Sequence, residues 1–173
     1  MTNTERNKKM PAIVSFAGNS GSGKTTLMEK LIRELKAKGY RVATIKHTFH
    51  SIALDQPGKD SWRYIEAGSD AAVAVSREMM LLVKPLRADV TLEEVARVVG
   101  EDYDIILVEG FKRDNAPKVL VHRGAAGPLL SDLKEVIAIA TDEPLKTKTR
   151  QFSLDDARGI AAFLEREFIK SPR

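Results

Sequence analysis

Gly18-Asn19-Ser20-Gly21-Ser22-Gly23-Lys24-Thr25 is the stretch on which the reading of this chain turns. It matches G-x-x-x-x-G-K-[ST] without a gap, the pattern of a loop that wraps a chain of phosphates in backbone N–H groups. Side chains inside such a bend would block the anion, and glycine supplies the conformations the bend needs. The motif carries chemistry only where a strand delivers it and a helix leaves it, and the flanking sequence supplies both. Residues 12–17, AIVSFA, form a short apolar run with β-branched content that reads as a buried strand. From Thr25 onward Leu27, Leu31 and Leu35 recur four apart, with Met28 and Ile32 widening the stripe. Glu29 with Arg33 and Glu34 with Lys38 sit acid-before-base on the outward face, and Gly39 marks the stop. Residues 41–46 then read as a second strand, which completes a βαβ unit and implies a parallel sheet.

The same alternation continues along the chain. A short helix is expected over 61–67, a hairpin from 71–75 and 79–84, and a helix opening at Thr91 with Glu94 completing a capping box. Residues 104–109, DIILVE, are almost wholly apolar, as the middle of a doubly covered sheet requires. Strands are expected at 118–122 and 136–141, and a final helix over 153–168 with Ile160, Phe163, Leu164 and Phe168 inward. The fold class predicted is α/β: a three-layer P-loop NTPase fold with a mostly parallel central sheet and a β-hairpin extension. Its domain layout is a disordered tail over 1–10 and a single nucleotide-binding domain over 11–173.

Composition bounds the partners. The chain has 173 residues and no cysteine, so a disulfide framework, a Cys-rich zinc site and a cysteine nucleophile are excluded. That absence fits a reducing compartment, and the expected location is the cytoplasm. The longest apolar runs are five residues, far below the ~20 of a membrane span. The polar first residues, MTNTERNKK, lead into no secretory apolar segment. Lys and Arg number 28 against 24 acids, a net charge of +4 that describes a mixed surface. No aromatics interleave with the basic residues, so neither nucleic acid nor membrane is expected as a partner.

The phosphate loop assigns a nucleoside triphosphate with Mg²⁺. Lys24 supplies a point charge between phosphates, Thr25 a hydroxyl for the metal, and the helix N-terminus unpaired amides for the anion. An acid must stand at the carboxyl tip of a neighbouring strand to hold the metal shell. Asp104 and Glu109 end the same strand roughly 16 Å apart. Ligands of open parallel sheets lie at the carboxyl ends of the strands, which selects Glu109, acting through water, and leaves Asp104 structural. The loop after the second strand carries Lys46, His47, His50, Asp55, Lys59, Asp60, Ser61 and Arg63. Asp55 and Asp60 would position a water or a magnesium contact, or Asp60 caps the helix that follows. Lys24 and Asp60 are the candidates for any catalytic role, and Thr25, Glu109 and Asp55 for the metal. His47 and His50 have the spacing of a metal pair, but without further ligands they read as hydrogen-bonding or solvated groups.

Residues 136–141 lead into Thr141-Asp142-Glu143-Pro144. A carboxylate in the loop after a late strand accepts from guanine N1–H and N2–H₂, a donor pair adenine lacks. Asp142 stands in that place, with a plain Asp–Pro turn as the other reading. Lys59, Arg63, Lys112, Arg113, Lys118 and Arg123 are basic residues expected around the crevice, for a phosphate or an acidic partner face, or as scattered solvated charge.

With these pieces the sequence resembles the MobB family of molybdopterin-guanine dinucleotide biosynthesis adapters. The likeness rests on Gly18 through Thr25 with Thr26, Lys46-His47-Thr48, Asp55-Gln56-Pro57-Gly58-Lys59-Asp60-Ser61 with Arg63, Ala67-Gly68, and Val108-Glu109-Gly110-Phe111-Lys112. The resemblance implies a GTP-binding protein, a homodimer, that assists the guanylyltransferase MobA in attaching GMP to molybdopterin and hydrolyses GTP weakly at most. It would also explain the apolar hairpin at 71–84 as a dimer contact. A P-loop small-molecule kinase is the alternative, which the short segment 111–132 provides with no large lid.

Overall fold

The structure, a computed structural model, describes residues 10–48 and 58–169. Residues 1–9 of the tail expected over 1–10, His50 and Asp55 lie outside the described residues, as does the Gln56-Pro57 part of the family segment. The chain divides into two compact units: residues 1–47 with 91–173, and residues 48–90.

The larger unit is built on six strands, β1 (Ala12–Ala17), β2 (Val42–Lys46), β5 (Ile105–Glu109), β6 (Lys118–His122), β7 (Val136–Thr141) and β8 (Arg150–Ser153). They lie in the order β2-β5-β1-β6-β7-β8, and every neighbouring pair is parallel. Because successive strand residues face opposite ways, β5 serves both faces. Ile105 and Leu107 join a core with helices α1 (Lys24–Ala37) and α4 (Ala157–Phe168), while Ile106 and Val108 join a second core with α3 (Leu92–Val99). The result is three layers, helices on both sides of a parallel sheet.

Local sequence explains each helix. The leucine stripe of α1 buries Leu27, Met28, Leu31 and Leu35, each contributing about 1.5–3 kcal/mol by leaving water. Beyond its end, the Tyr40 hydroxyl donates to Glu165 Oε1 at 2.6 Å and the Lys38 ammonium pairs with Glu165 Oε2, which fastens α1 to α4. Helix α3 opens with the expected capping box: Thr91 Oγ1 accepts from Glu94 N–H and the Glu94 carboxylate accepts from Thr91 N–H at 2.8 Å.

The last stretch differs from its sequence reading. Helix α4 begins at Ala157, not at 153, and residues 150–153 form an edge strand beside β7. Arg-Gln-Phe-Ser has one buried residue, Phe152, which packs on Phe163 at 5.7 Å between ring centroids. A strand with one inward side chain has no periodic signal. Asp156 caps α4 by accepting from Gly159 N–H at 2.8 Å.

The smaller unit holds helix α2 (Asp60–Glu66) and the antiparallel hairpin of β3 (Ala72–Val75) and β4 (Met80–Val83). Ser76 closes the turn, its Oγ accepting from the N–H groups of Glu78 and Met79. The cross-strand pairs Val73–Leu82 and Val75–Met80 share one face of the hairpin. All four side chains are exposed, Val75 and Met80 at 73% and 70%.

Candidate functional site

Parallel pairing brings three strand tips into one row. Phe16 of β1 and Lys46 of β2 both stand level with Glu109 of β5. The phosphate-loop sequence leaves β1 at this carboxyl edge, where ligands of open parallel sheets bind. Gly18 is there because the loop passes against β6: a Cβ on it would lie 2.2 Å from Val121 O and 2.7 Å from Ser22 Oγ.

The loop ends in a helix start left open. Gly23, in the left-handed region with φ 92, is the N-cap of α1; no side chain caps the helix and no acid stands in its first turn. Helices α3 and α4, by contrast, each have a side-chain cap. The unsatisfied amides and the helix dipole together suit an anion. Ser22 adds an Oγ that is buried and has no hydrogen-bond partner among the described residues, a group whose desolvation is costly until something pairs with it.

Lys24 lies across this loop. Its ammonium donates to Asn19 O at 2.7 Å and Gly18 O at 3.2 Å. Burial lowers its pKa from the ordinary lysine value; Glu109 opposes that shift, and the charges of Lys112 and Lys46 add to it. A lysine crowded by two others and faced by one carboxylate is a cationic spot that an anion would relieve. Two of the residues expected to hold a metal are also in contact. Thr25 Oγ1 donates to Glu109 Oε2 at 3.1 Å, so the two groups expected to share a magnesium shell already touch. Asp104, at the other end of β5, accepts from Arg41 N–H at 2.7 Å and pairs with its guanidinium, a structural role at the amino edge.

The aim of Glu109 is set by the backbone after it. Gly110 has φ 106 and Phe111 φ 46, both in the left-handed region. Phe111 stacks on His47 with ring centroids 4.4 Å apart, and His47 N–H donates to Glu109 O at 2.8 Å. His47 is thereby part of the wall behind Glu109. Among the described residues no cluster of three or more His, Asp or Glu side chains could hold a metal ion by itself.

On the other flank of β1, Asp142 follows β7 and accepts from Gly124 N–H through Oδ1 at 3.0 Å. His122, 5% exposed at the end of β6, meets Glu143 Oε1 at 2.9 Å. Neither tie has a signal in the sequence, since both depend on β6 and β7 being neighbours. Lys118, expected among the crevice cations, is fully buried at the start of β6. Its ammonium donates to Asp114 O, Ala116 O and Asp114 Oδ1 at 2.6, 2.9 and 3.2 Å, so it is a satisfied internal cation and no ligand for a phosphate. In the smaller unit, Asp60 is the first residue of α2 with Lys59 at the N-cap, so it does not cap the helix. Its exposed carboxylate lies 3.7 Å from Arg63 Nη1.

The MobB family, described as Molybdopterin guanine dinucleotide synthesis protein B, matches residues 13–142. The chain belongs to the MobB family. The match runs from β1 through Asp142 and so takes in both flanks of the phosphate loop. Among MobB relatives, the molybdopterin-guanine dinucleotide biosynthesis adapter protein of Haemophilus influenzae is 39% identical over 92% of this chain and 90% of that protein. The protein of that name in Escherichia coli is 37% identical, over 91% and 93%. The crystal structure of Bacillus subtilis MobB superposes with a TM-score of 0.68 at 27% identity, over 92% of this chain and 99% of that one. The parallel sheet, its helices and the small hairpin sheet are thus the MobB fold.

Proposed function

We propose that this chain is a GTP-binding adapter in molybdopterin guanine dinucleotide biosynthesis, assisting the guanylyltransferase MobA and hydrolysing GTP weakly at most. The observation that carries the nucleotide half is the uncapped start of α1, wrapped by the Gly18–Thr25 loop and faced by Lys24. The amides of the loop and of Thr26, together with Lys24, would hold the phosphates. Thr25 and Glu109 would hold Mg²⁺, which when bound neutralises phosphate charge. Asp142 keeps its Oδ2 without a protein partner among the described residues, which leaves acceptor capacity for a guanine edge. Asp55 and Asp60 enter this proposal from the sequence alone, as candidates for water positioning.

The protein's own contribution is binding and orientation. Lys24 moves from two backbone carbonyls to the anion, and Glu109, backed by the Gly110-Phe111 turn, orients the Thr25 hydroxyl. The exposed Val73, Val75, Met80 and Leu82 face supports a homodimer built on the hairpin. The adapter role itself is supported by the biosynthesis adapter names of its Haemophilus and Escherichia relatives.

Calorimetric titration with non-hydrolysable GTP and ATP analogues, each with Mg²⁺, tests the reading. GTP favoured by about tenfold or more is the expected result, the worth of one or two base hydrogen bonds. Equal or tighter ATP binding would remove Asp142 as a guanine acceptor and favour the kinase alternative.

A further inference from the structure

We infer that Arg123 is a second cationic ligand for the nucleotide phosphates, presented by β6 to the phosphate loop from the flank opposite Glu109. The inference rests on the nucleotide-binding reading above and adds to it a residue that the loop motif does not contain. In the sheet, β1 lies between β5 and β6. Glu109 ends β5, and Arg123 directly follows His122 at the end of β6. A Cβ added to Gly23 would lie 3.4 Å from Arg123 Nη2. The guanidinium therefore rests on the residue that opens α1.

Electrostatics makes that an unfavourable resting place without an anion. Cations are stabilising at the C-terminal ends of helices, and the N-terminal end carries a partial positive charge of its own. Lys24 is the adjacent residue. The Arg123 side chain is exposed and has no hydrogen bond or ion pair among the described residues, while its backbone carbonyl accepts from Ala126 N–H at 2.8 Å. It contributes only the smallest of the causes lowering the pKa of the Asp155 carboxyl, which is held chiefly by Lys30 at 2.7 Å. An unpaired fork of N–H donors beside open helix amides is suited to phosphate oxygens.

The backbone under Arg123 is fixed on both sides. The preceding residue, His122, is tied to Glu143, and the following one, Gly124, donates its N–H to Asp142. Gly124 packs on Glu143, whose Oε1 would be 3.2 Å from a Cβ there. Further along, Asn19 Nδ2 donates to Pro128 O at 2.8 Å, joining the phosphate loop to the same connection. The residues after β7 thus hold the arginine in place, and the arginine links them to the phosphate loop.

The test is titration of a non-hydrolysable GTP analogue with Mg²⁺ into wild type, Arg123→Ala, Arg123→Gln, Arg123→Lys and Lys24→Ala, with a thermal melt of each. Arg123→Ala and Arg123→Gln should each weaken binding by about tenfold or more. Their melting midpoints should match wild type, because the side chain is exposed and unpaired, and Arg123→Lys should recover part of the affinity. Arg123→Gln binding like wild type while Lys24→Ala fails to bind would overturn the inference and leave the nucleotide reading standing. Wild type failing to bind the analogue would overturn both. A lowered melting midpoint in both neutral variants would assign Arg123 to structure and overturn the inference as well.

Discussion

Replacing Gly110 by alanine tests how tightly the tip of β5 is built. Gly110 has φ 106, a region in which an L side chain costs about 1–2 kcal/mol. The added Cβ would also lie 2.8 Å from His47 Cβ and 2.9 Å from His47 O. One of those contacts is backbone, so no flexible side chain can swing aside, and the end of β2 must move. Forcing an extra methyl into packed surroundings costs about 1–3 kcal/mol. The movement also strains the His47 N–H to Glu109 O bond. The expected loss is about 2–5 kcal/mol, large against a typical stability of about 5–15. Gly39→Ala is the matched control, because Gly39 has φ 87 with nothing among the described residues within 4 Å of an added Cβ. It should lose only the conformational part, about 1–2 kcal/mol. Urea unfolding followed by circular dichroism reads the difference, with Gly110→Ala unfolding about 0.5–2 M below the control. Coincident midpoints for the two variants would show that the His47 contact is not constraining and refute the reasoning.

Other consequences are open to measurement. Lys24→Ala should abolish measurable nucleotide binding by calorimetry while leaving the fold intact by circular dichroism. Asp142→Ala should reduce the preference for GTP over ATP by about tenfold, through weaker GTP binding and not through tighter ATP binding. Val75→Lys, which places charge on the exposed hairpin face, should give a monomer by sedimentation if that face builds the proposed homodimer, and wild type should sediment as a dimer. Tyr40 donates to Glu165, and this bond, with burial, pushes its pKa up from 10.0 to about 12. A folded pKa above the unfolded one stabilises fully below pH 10 and loses that contribution as pH rises toward 12. Wild type should therefore lose urea stability relative to Tyr40→Phe across that window, and parallel curves would contradict the bond.

What the sequence showed and what it hid follow one physical division. Features held within a few residues were legible: the phosphate loop between its strand and its helix, the leucine stripe of α1, the Thr91 and Glu94 capping box, and the run of four apolar residues that opens β5. Strand direction alone placed Glu109 at the carboxyl edge and Asp104 at the amino edge, where Glu109 accepts from Thr25 and Asp104 holds Arg41. Features that depend on which strands are neighbours were not legible. The ammonium of Lys118 is internal because the connection before β6 folds two carbonyls and a carboxylate over it, whereas a lysine opening a strand reads as solvated. Arg123 reaches Gly23 only because β6 runs beside β1. Strand β8 was missed because its pairing with β7 stabilises it more than its own side chains do.

The strand order also has a consequence for synthesis. β1 pairs with β5 at Ala12 and Ile105, and with β6 at Ser15 and Lys118, and with no strand nearer in sequence. Chains emerge at about 5–20 residues per second, so an apolar first strand waits several seconds for its first partner and longer for its second. During that interval Ala12–Ala17 is unpaired β-forming sequence, a segment for chaperones to cover and for aggregation to exploit. Nascent chains stalled before residue 105 carry the complete phosphate-loop motif, yet lack both strands that give it a platform. The motif is translated early, and its scaffold is complete only after β6.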